Sequence, residues 1–454
     1  MDNDVAALTT VFTEFYYWIT VPLMFLIHVG FCMYEVGASR RKNHMHTLMK
    51  NSMVIPLVTV TWFFFGWWLY WAFAGGPGIT GGLGHPTPDL LAYYAPWGDG
   101  MGPRLDDRIS GVFWAAFLLF AWTAASIVSG AVIERIRSFG FWVIAILIGS
   151  VTWSIDAAWG WHYNGWMVEL LGYHDAYASG VIHAIAGGTA LAVLVVLGPR
   201  LGKFAPDGTP RDILPHNAWL VCIGLFLIYT GFWGFYVACN VPLATTGYIG
   251  GQITGDIQTA TTIYLTPTTL SAITMNFLLS LAGGMLVGYM VSKGDAFWTY
   301  SGGLAGIITA SAGNDLYHPL QALIIGGVGT FAMYKIHYWV ERKFKVDDAV
   351  GAVAVHGYAG VIGLVISGFV LWGHPSSPYE GFAEINPLGQ IAGAIIMFFG
   401  LGFIPAWVVS KILNSMGLLR IPREVELLGL DFKNNKEAEA ARQDVIAAER
   451  QATS

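Results

Sequence analysis

Charged residues are scarce in this chain of 454 residues. Asp, Glu, Lys and Arg together make up only 11% of the sequence, whereas hydrophobic residues make up 55%. A soluble domain carries about 25% charged residues. A larger core cannot account for the deficit, because a globular surface of this size would need more polar residues. The composition therefore excludes an ordinary soluble protein.

Cysteine is also rare. Cys32, Cys222 and Cys239 all fall inside apolar segments, so the sequence offers neither a disulfide framework nor the spacing of a metal site. The N-terminal Met-Asp-Asn-Asp lacks the basic start of a cleaved signal peptide. The sequence also lacks a nucleophile–base grouping and a cofactor motif. It predicts a protein that is not an enzyme, holds no metal or cofactor and binds no nucleic acid.

Long apolar runs take the place of these features. Residues 53–74 and 139–161 are long enough for the roughly 20 residues that span a bilayer as a helix. They are continuously apolar, whereas barrel strands would alternate with period two. The sequence predicts an all-α polytopic membrane protein with eleven spans, at 9–37, 47–74, 110–133, 138–160, 176–199, 216–240, 264–291, 297–312, 318–338, 349–372 and 386–412.

Basic residues are distributed unevenly between the connecting loops. The first basic cluster, Arg40-Arg41-Lys42, follows the first span, and the positive-inside rule places it in the cytoplasm with the N-terminus outside. Of the 23 Lys and Arg residues, only Arg104 and Arg108 lie in loops after even-numbered spans. The sequence thus predicts a plasma (inner) membrane protein with a transmembrane domain over 1–412 and a charged cytoplasmic tail over 413–454.

An internal repeat relates the two halves of the chain. Phe-Leu-Ile-His-Val-Gly-Phe at 25–31 in the first span matches Phe-Leu-Ile-Tyr-Thr-Gly-Phe at 226–232 in the sixth. The fifth and tenth spans share a second phrase, so spans 1–5 correspond to spans 6–10, with an eleventh span added. Five spans per copy make the second copy inverted. Inverted repeats place a substrate path near the midplane, where the copies meet.

The phrase shared by the fifth and tenth spans has a histidine at its centre. His183 lies in Val-Ile-His-Ala-Ile-Ala-Gly, and His356 lies in Ala-Val-His-Gly-Tyr-Ala-Gly. An ionisable side chain at membrane depth is costly, so a functional role is the default hypothesis. Imidazole can donate at one nitrogen and accept at the other, which suits a route for a proton or a small hydrogen-bonding molecule. We predict that both histidines line a conduction path, and we interpret the unduplicated His28 as a core residue.

An aspartate precedes each of these histidines by eight residues. Asp175 is compatible with two roles, the N-cap of the fifth helix and a negative charge that attracts cations to the outer mouth. Asp348 follows Lys345 and Asp347, and we interpret it as a cap of the tenth helix.

Several further stretches accompany the paired histidine phrases. They are Gly-Ala-Ser-Arg-Arg-Lys-Asn at 37–43, Gly-Ala-Val-Ile-Glu-Arg-Ile-Arg at 130–137, Gly-Phe-Trp-Gly-Phe at 231–235, Gly-Leu-Ala-Gly at 303–306 and Gly-Leu-Asp at 429–431. Together they resemble the ammonium transporter (Amt/Rh) family over roughly residues 10–432. The resemblance implies a homotrimer with one pore per subunit, an outer cation site, a phenylalanine gate and twin histidines in an apolar pore.

By motif position, the resemblance also assigns residues to these parts. The twin histidines would be His183 and His356, the gate would be Phe120 and Phe235, and the outer cation site would include Trp161, Cys239 and Asp175. Trp166 competes with Trp161 for the outer tryptophan, because the loop between them is rearranged.

The sequence departs from the family pattern mainly at the outer site. Cys239 stands where the family has serine, and a thiol is a weaker hydrogen-bond partner. Residues 234–239 read Gly-Phe-Tyr-Val-Ala-Cys in place of Gly-Phe-Asn-Ala-Gly-Ser. Ala-Tyr-Ala-Ser follows Asp175 in place of Phe-Ala-Gly-Gly, and Asn-Asn-Lys at 434–436 replaces a His-Gly-Glu type ending. Because of these departures, the sequence does not decide whether the substrate is ammonium or a methylated or other small amine. Aromatic faces can bind alkylated ammonium ions by cation–π contact.

The expected activity is electrogenic transport of ammonium. A bare cation would meet a large desolvation cost in an apolar pore. Losing a proton to a histidine relay removes that cost while net charge still crosses. The alternative is a non-conducting ammonium sensor, which would normally carry a fused signalling domain. The chain ends roughly 40 residues after its last predicted span, which disfavours the sensor. A PII-type regulator is a candidate partner for the tail.

Overall fold

The computed structural model describes residues 2–76, 88–102, 110–241 and 260–432, and the short stretches 443–444, 446–448 and 450–451. Three features used above lie outside these residues. They are Arg104, Arg108 and the tail sequence at 434–436.

Long helices make up most of the described chain, and each of the eleven predicted spans coincides with one of them. In chain order they are α1 (Asp2–Ala38), α2 (Arg41–Ala72), α3 (Ser110–Ala131), α4 (Ser138–Gly160), α5 (Ser179–Leu197), α6 (Ala218–Ala238), α7 (Leu270–Ser292), α8 (Ala296–Ala310), α9 (Pro319–Phe344), α10 (Val353–Val370) and α11 (Pro387–Ser415). Nine of these described helices are long and apolar enough to cross a membrane. The other two are α8, which has only 15 residues, and α9, which is less apolar. The chain is a multi-pass membrane protein.

Some helix ends differ from the predicted spans for local reasons. The seventh span was predicted from residue 264, but α7 begins at Leu270, because residues 260–268 form a small sheet that includes Pro267. The ninth span was predicted to end at 338, but α9 continues to Phe344 through a charged last turn. A hydropathy pattern does not register such polar extensions.

Shorter elements connect the long helices. The short helices are Pro88–Tyr93, Trp166–Leu171 and Arg423–Leu428, with single 3-10 turns at Asp99–Met101, Ser311–Gly313 and Leu430–Phe432. Strands β1 (Asn240–Val241), β2 (Ala260–Thr262) and β3 (Pro267–Thr268) form an antiparallel sheet in that order. Asn240 pairs with Thr262, and Ala260 pairs with Thr268. This sheet lies between the end of α6 and the start of α7.

Helices α1 and α6, the first helices of the two repeats, cross with their backbones in close contact. A Cβ atom on Gly30 would lie only 2.5 Å from the carbonyl oxygen of Gly224, and one on Gly231 would lie 2.7 Å from the backbone nitrogen of Ile27. Small residues allow membrane helices to approach this closely. The crossing is what equivalent helices of an inverted repeat would form where the two halves meet.

Gly30→Ala is expected to destabilise the α1–α6 crossing, because the new Cβ would contact a backbone carbonyl that has little freedom to move. Overpacking of this kind costs about 1–3 kcal/mol. The thermal unfolding midpoint of the detergent-solubilised protein measures the effect. Gly400→Ala is the matched control, since a Cβ at that helical glycine meets nothing within 4 Å. Equal midpoints for the two variants would contradict the role of the crossing.

The two ends of the helix bundle differ in charge. We call them the Asp175 end, where α4 and α6 finish, and the Asp348 end, where α3 and α5 finish. At the Asp348 end the Arg200 guanidinium bonds the Asp347 carboxylate at 2.9 Å, and Arg135 lies 3.8 Å from it. Burial alone would raise the pKa of Asp347, but the two guanidinium groups hold that pKa below its ordinary value. Asp347 is therefore an anion that joins two loops.

The first part of the tail packs against the Asp348 end. The Glu426 carboxylate accepts hydrogen bonds from the backbone N–H of Leu201 at 2.7 Å and from Arg420 at 2.9 Å. The Asp431 carboxylate accepts from the backbone N–H groups of Met45 at 3.0 Å and His46 at 2.8 Å. These contacts fix the chain after α11 to the start of α2 and to the loop that follows α5.

Candidate conduction site

His183 and His356 meet in the interior of the bundle. Their Nδ1 atoms are 3.0 Å apart, their ring centroids are 5.0 Å apart, and both side chains are buried. Two ring nitrogens at this distance share one proton, so one imidazole donates and the other accepts. Nε2 of His183 has no partner among the described atoms. The duplicated phrase predicted the pairing, and the structure brings the two residues together.

The two aspartates hold the starts of α5 and α10 in the same way. Asp175 accepts from the backbone N–H groups four, five and six residues later, at 2.6, 2.7 and 2.9 Å. Asp348 accepts from the groups at the same three offsets, at 2.9, 2.8 and 3.2 Å. Burial raises the pKa of both carboxyls, to about 7 for Asp348, and the N–H donors oppose the shift. The structure confirms that Asp348 is a cap and gives Asp175 the same geometry.

Each capped helix starts with a π-helical turn that carries the histidine. These turns are Ser179–Ala184 and Val353–Tyr358. The two helices touch where Gly187, just after the first turn, meets Gly357 inside the second, since a Cβ on Gly187 would lie 2.1 Å from the Cα of Gly357. A single π-helical turn inside a helix often occurs at a functional position. In both helices the π-helical turn carries the imidazole eight residues after the capping aspartate.

The candidate gate residues form a column of rings that leads to the histidines. Phe120 and Phe235 meet edge to face at 4.8 Å between centroids. The Trp161 ring lies 4.9 Å from Phe120, and Phe235 stacks on His183 at 5.9 Å. All of these side chains are buried. The column therefore runs from Trp161 to His183 without a gap.

Sequence reasoning missed two phenylalanine rings that contact the histidines. Phe31 lies against His356, with 6.3 Å between ring centroids. Its repeat counterpart Phe232 stacks on His183 at 5.9 Å. The aligned Phe-Leu-Ile phrases already paired these two phenylalanines, so the repeat itself was the signal that could have identified Phe31.

The structure separates the two candidate tryptophans. The Trp161 indole N–H donates to the carbonyl oxygen of Asp175 at 2.7 Å, which holds its ring against Phe120. Trp166 instead packs against Trp159 at 5.6 Å. Cys239 is buried at the C-terminal end of α6, four residues beyond Phe235 and within electrostatic range of Asp175. Trp161, Asp175 and Cys239 thus all lie at the Asp175 end.

Two departures from the family pattern form one structural unit. The rings of Tyr177 and Tyr236 stack at 4.2 Å with an interplanar angle of 2°. Tyr177 donates to the Oδ1 atom of Asn240 at 3.1 Å. The Tyr236 hydroxyl bonds Ser311 at 2.8 Å and accepts from Asn314 at 2.9 Å. The unusual residues after Asp175 and Phe235 therefore pack on one another at the Asp175 end.

Known proteins resemble this chain over nearly its whole length. The model of the Ammonium Transporter Family matches residues 15–440. The ammonium transporter Amt2 of Methanocaldococcus jannaschii is 30% identical over 439 residues, which cover 95% of this chain and 93% of that protein. Amt2 of Archaeoglobus fulgidus is 31% identical over 441 residues, with 90% and 84% coverage.

Solved structures share the fold at lower identity. One titled "Sensor Amt Protein" matches with a TM-score of 0.73 and 23% identity, over 96% of this chain and all of that one. Mep2 of Candida albicans matches with a TM-score of 0.69 and 19% identity, over 91% of this chain and 86% of that one. The resemblance seen in the sequence is confirmed, and the chain belongs to the ammonium transporter family.

Proposed function

We propose that this protein transports ammonium across the membrane and that the transport is electrogenic. The observation that carries the proposal is the pair of buried imidazoles with Nδ1 atoms 3.0 Å apart, placed at the end of an apolar column of rings. Such a pair can pass a proton, because each imidazole can donate at one nitrogen and accept at the other. Family membership supports ammonium as the substrate.

The residues along the path have different roles in this proposal. The face of Trp161 attracts the cation by cation–π interaction. The Phe120–Phe235 pair excludes water and favours the uncharged amine. The proton then travels through His183 and His356 while the amine moves past the same rings. One positive charge crosses for each substrate molecule, so transport follows the membrane potential.

The proposed topology has eleven crossings, with the N-terminus outside and the C-terminus in the cytoplasm of a plasma (inner) membrane protein. Described basic side chains at the Asp348 end support this orientation by the positive-inside rule; they include Arg40, Arg135, Arg200, Lys203, Arg342 and Lys343. The Asp175 end is then the outer end. The transmembrane domain covers 1–412 and the tail covers 413–454. A homotrimer with one pore per subunit, and a PII-type regulator at the tail, follow from the family.

Current recorded on a solid-supported membrane tests the proposed function. Proteoliposomes given ammonium are expected to produce a transient positive current that saturates with concentration, and equal potassium is expected to give none. The current produced by methylammonium is compared with the current produced by ammonium, and the comparison ranks the two candidate substrates. Binding of ammonium without current or uptake would instead identify a sensor, the alternative that the name of one structural relative raises.

Cys239→Ser is expected to strengthen the binding of ammonium relative to the binding of methylammonium. A thiol accepts hydrogen bonds poorly, so the present site should hold its substrate more by aromatic faces and less by hydrogen bonds. The ratio of apparent affinities for the two cations, taken from current titrations, measures the effect, and we expect a change of about threefold to tenfold for one added hydrogen bond. Cys222→Ser, on the same helix, is the control. An unchanged ratio, or a shift toward methylammonium, would remove Cys239 from the outer site.

A further inference from the structure

A buried ion pair lies at the Asp348 end and has no part in the path described so far. Glu35 of α1 and Lys50 of α2 are 1% and 0% exposed, and Nζ of Lys50 lies 3.5 Å from Oε2 of Glu35. The Ser129 hydroxyl donates to Oε2 at 2.6 Å, and the Asn51 amide donates to Oε1 at 2.9 Å. Lys50 also donates to the carbonyl and hydroxyl oxygens of Ser129, each at 2.6 Å. The Glu35 carboxylate thus accepts two hydrogen bonds and lies beside one ammonium group.

Glu35 lines the same narrow cavity as His356. Phe31, Gly130, Ser301 and Val350 also line it. Phe31 contacts the His356 ring, and Glu35 follows Phe31 by four residues on the same helix, about 6 Å further toward the Asp348 end. Among the described side chains that line this cavity, Glu35 is the one carboxylate. Glu35 and His356 therefore border the same enclosed space.

The inverted repeat has no acidic residue at the equivalent outer position. Aligning residues 25–31 with 226–232 pairs Glu35 with Tyr236, whose hydroxyl bonds Ser311 and Asn314. A buried ion pair adds little stability over an apolar pair of similar volume, because desolvation offsets the attraction. Acidic residues at membrane depth commonly belong to proton relays. The pair is therefore better explained by a role in moving protons than by packing.

We propose that Glu35 accepts the proton that leaves His356 and releases it to the cytoplasm. In the first step the protonated His356 loses a proton and becomes neutral, water in the shared cavity carries that proton, and the Glu35 carboxylate becomes a carboxylic acid. In the second step the acid loses the proton to the cytoplasm and the ion pair with Lys50 forms again. This proposal rests on the proposed function and names the group that receives its proton.

The test replaces both charges at once. Glu35→Gln alone would leave Lys50 buried without its partner and could prevent folding. The double variant Glu35→Gln/Lys50→Met removes both charges. The matched control is Lys203→Met/Glu341→Gln, a similarly buried pair at 2.5 Å that does not line the His356 cavity. Ammonium-induced current and the pH inside the liposomes are recorded together for the wild type and both double variants.

A relay predicts that the Glu35/Lys50 variant loses current by about tenfold or more, as expected for removal of a proton-transferring group. The liposome interior should become more alkaline, because uncharged ammonia enters without its proton. The control should conduct like the wild type. Current within twofold of the wild type, or loss of both signals in an assembled variant, would overturn the proposal. A wild type that gives no current would instead contradict the proposed function.

A conservative series tests the same point if the double variant does not assemble. Glu35→Asp keeps a carboxyl group beside Lys50, whereas Glu35→Gln/Lys50→Gln removes both charges, keeps hydrogen-bonding groups at both positions and loses the acid. The relay predicts current in the Asp variant and alkalinisation without current in the double Gln variant. Equal currents in these two variants would overturn the proposal.

Discussion

Replacing His183 or His356 with alanine is expected to abolish ammonium-coupled current or to remove its selectivity. The two Nδ1 atoms share one hydrogen bond at 3.0 Å, so neither imidazole can pass a proton to the other once one is missing. The largest change is expected in current per assembled protein, by about two orders of magnitude, which is within the range for removal of a general acid or base. The fold should persist, because the caps at Asp175 and Asp348 are unaffected.

The measurement compares ammonium current with potassium current in reconstituted protein. Alanine leaves space that water can fill, so a pore that passes both cations would also agree with a histidine barrier. His28→Ala is the matched control, since His28 is also a buried histidine, with its Nδ1 3.4 Å from the Ser126 hydroxyl, and it does not contact His183 or His356 in the described hydrogen bonds. Wild-type current and selectivity in both histidine variants would remove the pair from the mechanism.

The sequence predicted the pairing of the histidines because the duplication is visible in the residues. A shared phrase and a common offset of eight residues from an aspartate require equivalent positions in two halves. The structure adds that both aspartates use the same three backbone offsets and that both histidines lie in π-helical turns. Such geometry depends on backbone hydrogen bonds, which an apolar pattern does not encode.

The parts that the sequence did not predict depend on contacts between distant segments. The stacking of Tyr177 on Tyr236 joins the start of α5 to the end of α6, and each residue alone was only an unexplained departure from the family. The choice between Trp161 and Trp166 depends on the carbonyl oxygen of Asp175, which a rearranged loop brings to one indole. The placement of Glu35 on the same cavity as His356 likewise depends on the packing of α1 against α10. Composition and residue spacing do not predict these contacts.

Substitution of Asp175 is expected to have the second largest effect. Both carboxylate oxygens are used, one by the backbone N–H of Ser179 and the other by two further N–H groups and the Tyr173 hydroxyl. Asp175→Ala should leave these buried donors without a partner, which costs about 1–3 kcal/mol for each unsatisfied group. Asp175→Asn keeps one acceptor oxygen but turns an amide donor toward other donors. We expect both variants to lose transport and to lower the unfolding midpoint, with the larger decrease in the Ala variant.

The matching cap at Asp348 separates the two roles that the sequence left open for Asp175. Asp348 accepts from the same three backbone offsets but lies at the opposite end, so Asp348→Asn weakens an equivalent cap without changing the charge at the Asp175 end. If Asp175 acts as a cap, the two Asn variants should lose stability and transport in parallel. Loss of transport in Asp175→Asn alone, at equal unfolding midpoints, would show that its negative charge recruits the cation. Normal transport in both Asp175 variants would remove this residue from the site.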